Sequence, residues 1–344
     1  MSSGEIYYLT TILTYGAVDM MACLGLNLQF GVAGITNFGF IIYEAFGAYT
    51  AAVLSMPGDS SNGGFQIYIG GLHLPFPLPW IGAAIVGGLI AIPTGLVVRR
   101  SLRPDFAAVA MLVTAVFLNT FVNNFRNLFN GAAGIALVPS PLSGLFNSQS
   151  ESYQIYYTLF ALLCVGLVYL VVRLITESPY GRSLRAMRDD ELTTGSIGKD
   201  TSRMRMTILV VGGAIGGLSG AILVGFINLW APSAWTYPET IILIAAIIVG
   251  GRANHVGAMF GALLVPVGFL EVTRYIPPFG PPGLVPAMEW VVTGLLILLF
   301  LWVRPQGVFP ERRRRLSRLM SKPLAATADT VAAGPTVGSP VNDD

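Results

Sequence analysis

SPYGRSLRAMRDDELTTGSIGKDTSRMR, Ser178 to Arg205, is a charged island between two long apolar runs. It holds six basic residues (Arg182, Arg185, Arg188, Lys199, Arg203, Arg205) and four acidic ones (Asp189, Asp190, Glu191, Asp200). The spacing predicts a helical start at Ser183 and an amphipathic stretch, with glycine punctuation at Gly195 and Gly198. Around the island the chain is membrane-grade: 53% of its 344 residues are hydrophobic and 11% are charged, with mean hydropathy +0.67. A soluble domain carries about 25% charged residues. Apolar runs recur at roughly the 17 to 25 residues that a spanning helix needs, and the alternation of a barrel strand is absent. With no water in a bilayer core, helices satisfy the backbone within each span. The expected fold is all-α, a polytopic transmembrane helical bundle of about 8–10 spans with broken or re-entrant segments.

Nine hydrophobic segments are legible, at roughly 6–28, 31–54, 81–98, 105–123, 154–175, 207–229, 239–250, 257–271 and 288–303. The second is interrupted by Gly31, Gly34, Gly39 and Gly47. The seventh and eighth are short and joined by GGRANHVG, so half-helices or a re-entrant pair are expected there. Arg99, Arg100 and Arg103 form one basic cluster and the 178–205 island a second. Arg304, Arg312 to Arg315, Arg318 and Lys322 form a third. Placing these on the cytoplasmic side puts 18 of the 20 Lys and Arg inside, leaving only Arg126 and Arg274 outside. A straight count then puts residue 1 outside; a re-entrant second segment puts it inside. The start, MSSGEIYYLT, has no basic n-region or cleavage site, so the first span is expected to stay. A short hairpin is expected in the first outer loop around Gly70–Gly71.

The domain reading is a membrane domain over 1–310, with a cytoplasmic loop at 176–206, and a cytoplasmic tail over 311–344. The tail begins with ERRRRLSRL, suited to lipid headgroups rather than nucleic acid. From about residue 323 it is low-complexity Ala, Thr, Gly and Pro, a composition expected to be disordered.

Ionisable groups within apolar spans are costly and mark candidate functional positions. Asp19, Cys23 and Asn27 share one face of the first segment. Thr36, Asn37 and Glu44 lie in the second. For Asp19 and Glu44 three readings stand: lining a polar pathway, binding a substrate ammonium group, or tying helices together. Glu239, Glu271 and Glu289 read as solvated helix ends. Gly31, Gly34 and Gly39 permit close packing or local unwinding. Cys23 and Cys164 read as small buried hydrophobes. His73 and His255 fall in opposite loops and cannot share a metal. No phosphate-binding loop is present, so the chain does not itself hydrolyse ATP. H-E-x-x-H and G-x-S-x-G are absent as well, and no convergent catalytic set is legible.

Three segments together resemble one family, the LivM/LivH-type permease subunits of branched-chain amino-acid ABC importers. LGLNLQFGVAGITNFGFIIYEAFGAYTAA, Leu24 to Ala52, is similar to the family's L-N-L-x-x-G-x-A-G run ending in G-A-Y-x-A. Ser178 to Asp200 is similar to its S-P-[FY]-G-R-x-[LM]-[RK]-A-[IM]-R-[DE] loop. Arg304-Pro-Gln-Gly-Val-Phe309 is similar to its R-P-x-G-[LI]-[FW]. Three stretches depart from the pattern. Gly250 to Gly257 lacks the middle glycine and hydroxyl of G-G-x-G-[ST]-x-x-G. Asn130-Gly131-Ala132-Ala133-Gly134 stands for T-G-G-x-x-G. Phe40, Ile41 and Ile42 replace smaller or polar residues.

The resemblance implies a non-catalytic, multi-pass subunit of the bacterial cytoplasmic (inner) membrane, working by alternating access. Its implied partners are a second permease subunit, favoured to be a different, LivH-like chain, two cytoplasmic ATPase subunits and an external solute-binding protein. No cofactor is implied in this chain; ATP and magnesium belong to the ATPases. Ser183 to about Thr194 would be the coupling helix. Leu184, Met187 and Leu192 would enter a groove on the ATPase, and Gly181, Arg182, Arg185, Arg188 and Asp189 complete the implied coupling set. Asp19, Asn27, Gly34, Asn37 and Glu44 are the expected pathway residues. Branched-chain amino acids are the expected cargo, with urea or short amides as the alternative. An ion-coupled secondary transporter, with Asp19 and Glu44 as coupling carboxylates, is the alternative of a different class.

Overall fold

The computed structural model describes residues 3–58, 66–99, 104–141, 150–268, 284–304 and 306–311. Asp59, Arg100, Arg103, Glu271, Arg274 and the tail from Arg312 onward lie outside the described residues, as does the side chain of Glu289.

The bundle is all-α, as expected. α1 (Ser3–Asn27) widens into a π turn over Leu28–Val32. Residues 33–40 leave the helix, and α2 (Ile41–Ser55) follows. Next come α3 (Leu78–Arg99), α4 (Pro104–Asn124), a short α5 (Arg126–Phe129) and α6 (Glu151–Glu177). The charged island forms α7 (Pro179–Asp189) and α8 (Glu191–Ser196). The chain returns through α9 (Thr201–Ile227), α10 (Tyr237–Gly250), α11 (His255–Ala262, continued by a π turn over Leu263–Val267) and α12 (Leu284–Val303). Among the described residues, six helices are long and apolar enough to cross a bilayer; the helices at 41–55 and 255–267 are shorter. The seventh segment, expected to be short, is α10, which with the turn before it (Pro232–Gly250) is one of the six; the eighth is the shorter α11, and the two pack against each other.

The interrupted second segment is an irregular stretch followed by a helix. Gly34 lies against Arg188 of α7 at one end of the bundle. Past the far end of α2, the Met56 carbonyl accepts from His73 N–H at 3.0 Å. The chain therefore runs from the α7 end to the opposite end, first irregular and then helical. At that opposite end the expected hairpin at Gly70–Gly71 does not form. The antiparallel pair there joins β1 (Ile135–Ala136) to β2 (Leu229–Trp230). Gly70 and Gly71 instead take positive φ of 108° and 78° in an irregular turn, with the bridge at Tyr68 made to Phe129. An aromatic group closes this end. Tyr49 stacks on Phe129 at 4.3 Å and accepts from Trp235 Nε1 at 3.2 Å.

The core is a three-helix contact of α2, α3 and α9 made through glycine. A Cβ on Gly47 would overlap the backbone of Gly217, and one on Gly217 would overlap the carbonyl of Ala83. Backbones this close gain dispersion contacts that a bilayer, already apolar, does not supply through the hydrophobic effect. The site depends on this, because the glycine contacts hold α2 against α9 directly after the break. Gly217→Val is expected to lower the stability of the detergent-solubilised protein by about 1–3 kcal/mol, the usual cost of overpacking. Gly166→Val, where a Cβ meets nothing within 4 Å, should stay within about 0.5 kcal/mol of the parent. Thermal unfolding followed by fluorescence reads both; equal stability of the two variants would contradict the packing described.

Candidate functional site

The site is the junction where α7 lies across the break between α1 and α2. Its local structure follows from short signals. Ser178 Oγ accepts the Gly181 N–H at 3.3 Å, and Pro179 occupies the first turn, where its missing N–H costs nothing. The helix therefore starts at Pro179, not at Ser183. It also stops sooner than expected. Asp190 leaves the helix and caps α8, accepting from Thr193 N–H at 3.0 Å and from its hydroxyl at 2.5 Å. The hydroxyl bond and then the N–H bond hold the Asp190 carboxyl below its usual range. The helix expected over Ser183 to Thr194 is thus two helices.

The faces of α7 also differ from expectation. Leu184 is 0% and Met187 4% exposed, buried within this chain rather than offered to a partner. α7 packs on α6, α8 and the π turn after α1. Gly181 is buried too, and a Cβ there would overlap the Thr176 backbone. Arg182 and Asp189 are exposed, and Arg185 is half-buried. The apolar side chains that do stand free are Leu192, 85% exposed, and Ile197, 75% exposed. The second was not singled out by sequence.

Arg188 ties this segment to the break. Its Nη1 donates to the Gly31 carbonyl at 2.7 Å, and its Nη2 donates to the Glu311 carboxylate at 3.0 Å. Arg252, between α10 and α11, donates from Nη2 to the Phe30 carbonyl at 3.1 Å and covers the Phe30 ring at 4.5 Å. Widening of a helix frees carbonyls, and here two cations take up two of them. Gly34 has φ +75°, a left-handed conformation, and a Cβ there would stand 2.7 Å from Arg188 Cγ. Only glycine fits both conditions without strain.

Asn27 continues the junction on its other side. Its Oδ1 accepts from Ala253 N–H at 3.0 Å, and its amide lies 3.4 Å from His255 Nδ1. That pairing leaves the His255 Nε2–H to donate to the Thr176 hydroxyl, 2.9 Å away at the last turn of α6. Asn37 sits deeper. It donates to Gln29 Oε1 at 2.9 Å and to the Tyr43 hydroxyl at 3.3 Å, while its Oδ1 accepts from Gly39 N–H. Gln29 in turn donates to the Leu209 carbonyl, and Tyr43 pairs with Thr94 at 2.8 Å. This buried network spans α2, α3, α9 and the break.

The expected pathway residues therefore fall into two groups. Asn27, Gly34 and Asn37 belong to the junction. Asp19 and Glu44 lie farther toward the opposite end, beside the first turns of α10. The stretch after α12 joins the junction as well. Val308 and Phe309 N–H groups donate to the Val249 and Gly250 carbonyls at 2.8 and 2.9 Å, capping the end of α10. Sequence reasoning did not assign Gln29, Arg252, His255 or Glu311. Arg252 and His255 lie in the stretch that departs from the family's glycine pattern, which was the available signal. Among the described residues no three His, Cys, Asp or Glu side chains come together as metal ligands.

Comparison with known proteins matches this sequence to one family. The sequence model described as branched-chain amino acid transport system / permease component matches residues 8–301. The LivM permease protein of the high-affinity branched-chain amino acid transport system of Salmonella typhimurium is 26% identical over 336 residues, covering 92% of this chain and 72% of its own. The probable LivM of Methanocaldococcus jannaschii is 25% identical over 337 residues, covering 90% and 95%. The LivH permease protein of Salmonella typhimurium is 25% identical over 325 residues, covering 90% and 97%. No solved structure matches the chain. The chain belongs to the family of branched-chain amino acid transport permease components, and it is a multi-pass membrane protein.

The reassigned faces of α7 and α8 make a direct prediction. Leu184→Asp buries a charge and removes a packed side chain, and should cost roughly 3 kcal/mol or more of stability. Leu192→Asp should change stability by less than about 0.5 kcal/mol. Unfolding in detergent separates them; a stable Leu184→Asp protein would place that residue outside the core.

Proposed function

We propose that this permease component is the transmembrane subunit of an ATP-driven importer in a bacterial cytoplasmic membrane. It moves branched-chain amino acids, delivered by an external solute-binding protein, through alternating access. It pairs with a second permease of the LivH kind and with two cytoplasmic ATPase subunits, which carry the ATP and magnesium. This chain is non-catalytic and needs no cofactor of its own. The relatives named LivM and LivH support the cargo and the pairing.

The observation that carries the reading is a convergence. The three segments resembling the family, 24–52, 178–200 and 304–309, meet at one junction through Arg188, Gly31 and the residues that follow α12. In this reading the α7 end faces the cytoplasm, as its basic residues require. Leu192 and Ile197 are the apolar contacts offered to the ATPase, and Arg182 and Arg185 of α7 supply positive charge on the same segment. Leu184 and Met187 act from within, as the packing that carries α8's displacement into the bundle. The motor's movement then reaches the break between α1 and α2 through rigid helices, and the break is where the pathway can open.

The test is uptake of labelled leucine into proteoliposomes holding this chain, its partner permease, the ATPases and the binding protein, with a labelled sugar as control. Uptake should require ATP. The paired substitution Leu192→Asp/Ile197→Asp should lower it roughly tenfold or more, the effect of charging the apolar centre of an interface. Uptake that proceeds without ATP, or survives the paired substitution, would overturn the coupling and favour an ion-driven carrier. ATP-dependent uptake of urea with no leucine uptake would overturn the cargo.

A further inference from the structure

The end of the bundle opposite α7 carries a cavity of about 610 Å³, lined by the end of α4, by α5, by the turn after it and by Gln66. Small-molecule sites occupy about 300–1,000 Å³. The turn has a fixed shape. Asn130, Gly131 and Gly134 take φ of +62°, +60° and +69°. Buried Asn130 donates to the Gly134 carbonyl at 2.8 Å and accepts the Ile67 N–H at 3.4 Å. Buried Gln66 donates to the Ala136 carbonyl at 3.0 Å and accepts its N–H at 2.8 Å. The stack of Phe129 on Tyr49 anchors the turn to α2. The stretch from Asn130 to Gly134 is also one of those that depart from the family's glycine pattern.

The two buried amides are thus committed to the walls, and two other side chains of the lining are not. Arg126 and Asn123 are exposed at the cavity, and neither side chain makes a hydrogen bond or ion pair among the described residues. Arg126 is the only described Lys or Arg at this end of the bundle, and no described Asp or Glu lines the cavity. The site therefore offers one fixed positive charge and a neutral donor. One guanidinium balances one negative charge, and its two parallel N–H bonds match the two oxygens of a carboxylate. The rest of the lining, Gly131 to Gly134 and Ala136, is small and uncharged, which leaves room for an apolar side chain.

We infer that this cavity is a receiving site for the carboxylate of the transported amino acid, with Arg126 paired to the carboxylate and Asn123 donating beside it. The inference rests on the reading of this chain as an amino-acid permease whose α7 end faces the cytoplasm, which turns the cavity outward. It adds where the cargo first meets this chain and which of its groups is recognised. The site favours an amino acid over urea or a short amide, because neither of those carries a carboxylate. A cavity of small-molecule size suits the free cargo better than an acidic side chain of the binding protein, and the experiment separates the two.

The test measures equilibrium binding of labelled leucine to the assembled transporter without its binding protein, for the parent, Arg126→Gln, Arg126→Lys and Asn123→Ala. Assembly is checked by size-exclusion chromatography. Arg126→Gln should weaken leucine binding roughly fivefold or more, since hydrogen bonds from a charged donor are lost. Arg126→Lys, which keeps the charge without the fork, should lose less. Asn123→Ala should weaken binding about twofold or more. Unlabelled leucinamide, which lacks the carboxylate, should displace labelled leucine far less well than unlabelled leucine does. A parent that binds no leucine, equal binding by Arg126→Gln, or equal displacement by leucinamide overturns the site. If Arg126→Gln leaves leucine binding unchanged and weakens capture of the loaded binding protein, the carboxylate belongs to that protein and the inference falls. In each of these cases ATP-driven leucine uptake by the parent leaves the permease reading standing. If Arg126→Gln does not assemble, Asn123→Ala and leucinamide decide by the same criteria. A parent transporter that takes up urea and no leucine overturns both readings together.

Discussion

Every backbone N–H and C=O inside an apolar bundle must find a partner within the protein, and a break in a spanning helix is tolerated only where such partners are supplied. This chain breaks its first crossing pair between Leu28 and Phe40. The rest of the architecture answers that break. Arg188 and Arg252 take up the freed carbonyls of Gly31 and Phe30. Thr240 accepts the N–H at the start of α2, and the Gln29–Asn37–Tyr43 network fills the space between. The outside partners come from α7 and from α10 with its following loop, so satisfying one break draws those regions onto α1 and α2.

The demand explains why α7 is held so closely. An amphipathic helix at a membrane surface can turn its apolar stripe toward lipid or a partner. Here Leu184 and Met187 are enclosed by the chain itself, because Arg188 on the same helix must reach Gly31. The Arg188–Glu311 pair then joins the end of the described chain to the same point. The glycine contacts of α2 with α3 and α9 hold the other side of the break rigidly. A displaced α7 would therefore act on a point with rigid packing on either side, which is the mechanical condition for transmitting movement rather than absorbing it.

Much of this was legible. Run lengths gave the nine apolar segments, and the glycine interruption located the break. The face shared by Asp19, Cys23 and Asn27 does turn toward α10 and its following loop. The errors have physical causes. Period shows that α7 has an apolar face but not what covers it, so Leu184 and Met187 were read outward. Ser178-Pro179 and Asp190 are cap signals that local reasoning reaches, and reading Ser183 as the start passed over them. Glu239 does stand in the first turn of α10, half-buried. Arg188 was read as a partner contact because sequence gives charge without reach. The Gly70–Gly71 loop carries turn residues, but Tyr68 before it bridges to Phe129 rather than to the residues after the turn.

The central claim is that Arg188 transmits movement from the α7–α8 segment to the break. The most direct measurement is the ratio of leucine taken up to ATP hydrolysed by the assembled transporter carrying Arg188→Ala. The account predicts that hydrolysis continues, since the proposed ATPase contacts at Leu192 and Ile197 are unchanged, while uptake per ATP falls roughly tenfold or more, the signature of losing a partner in a buried charged contact. A ratio equal to the parent's, at whatever absolute rate, would contradict the account and leave Arg188 as a structural fastening alone.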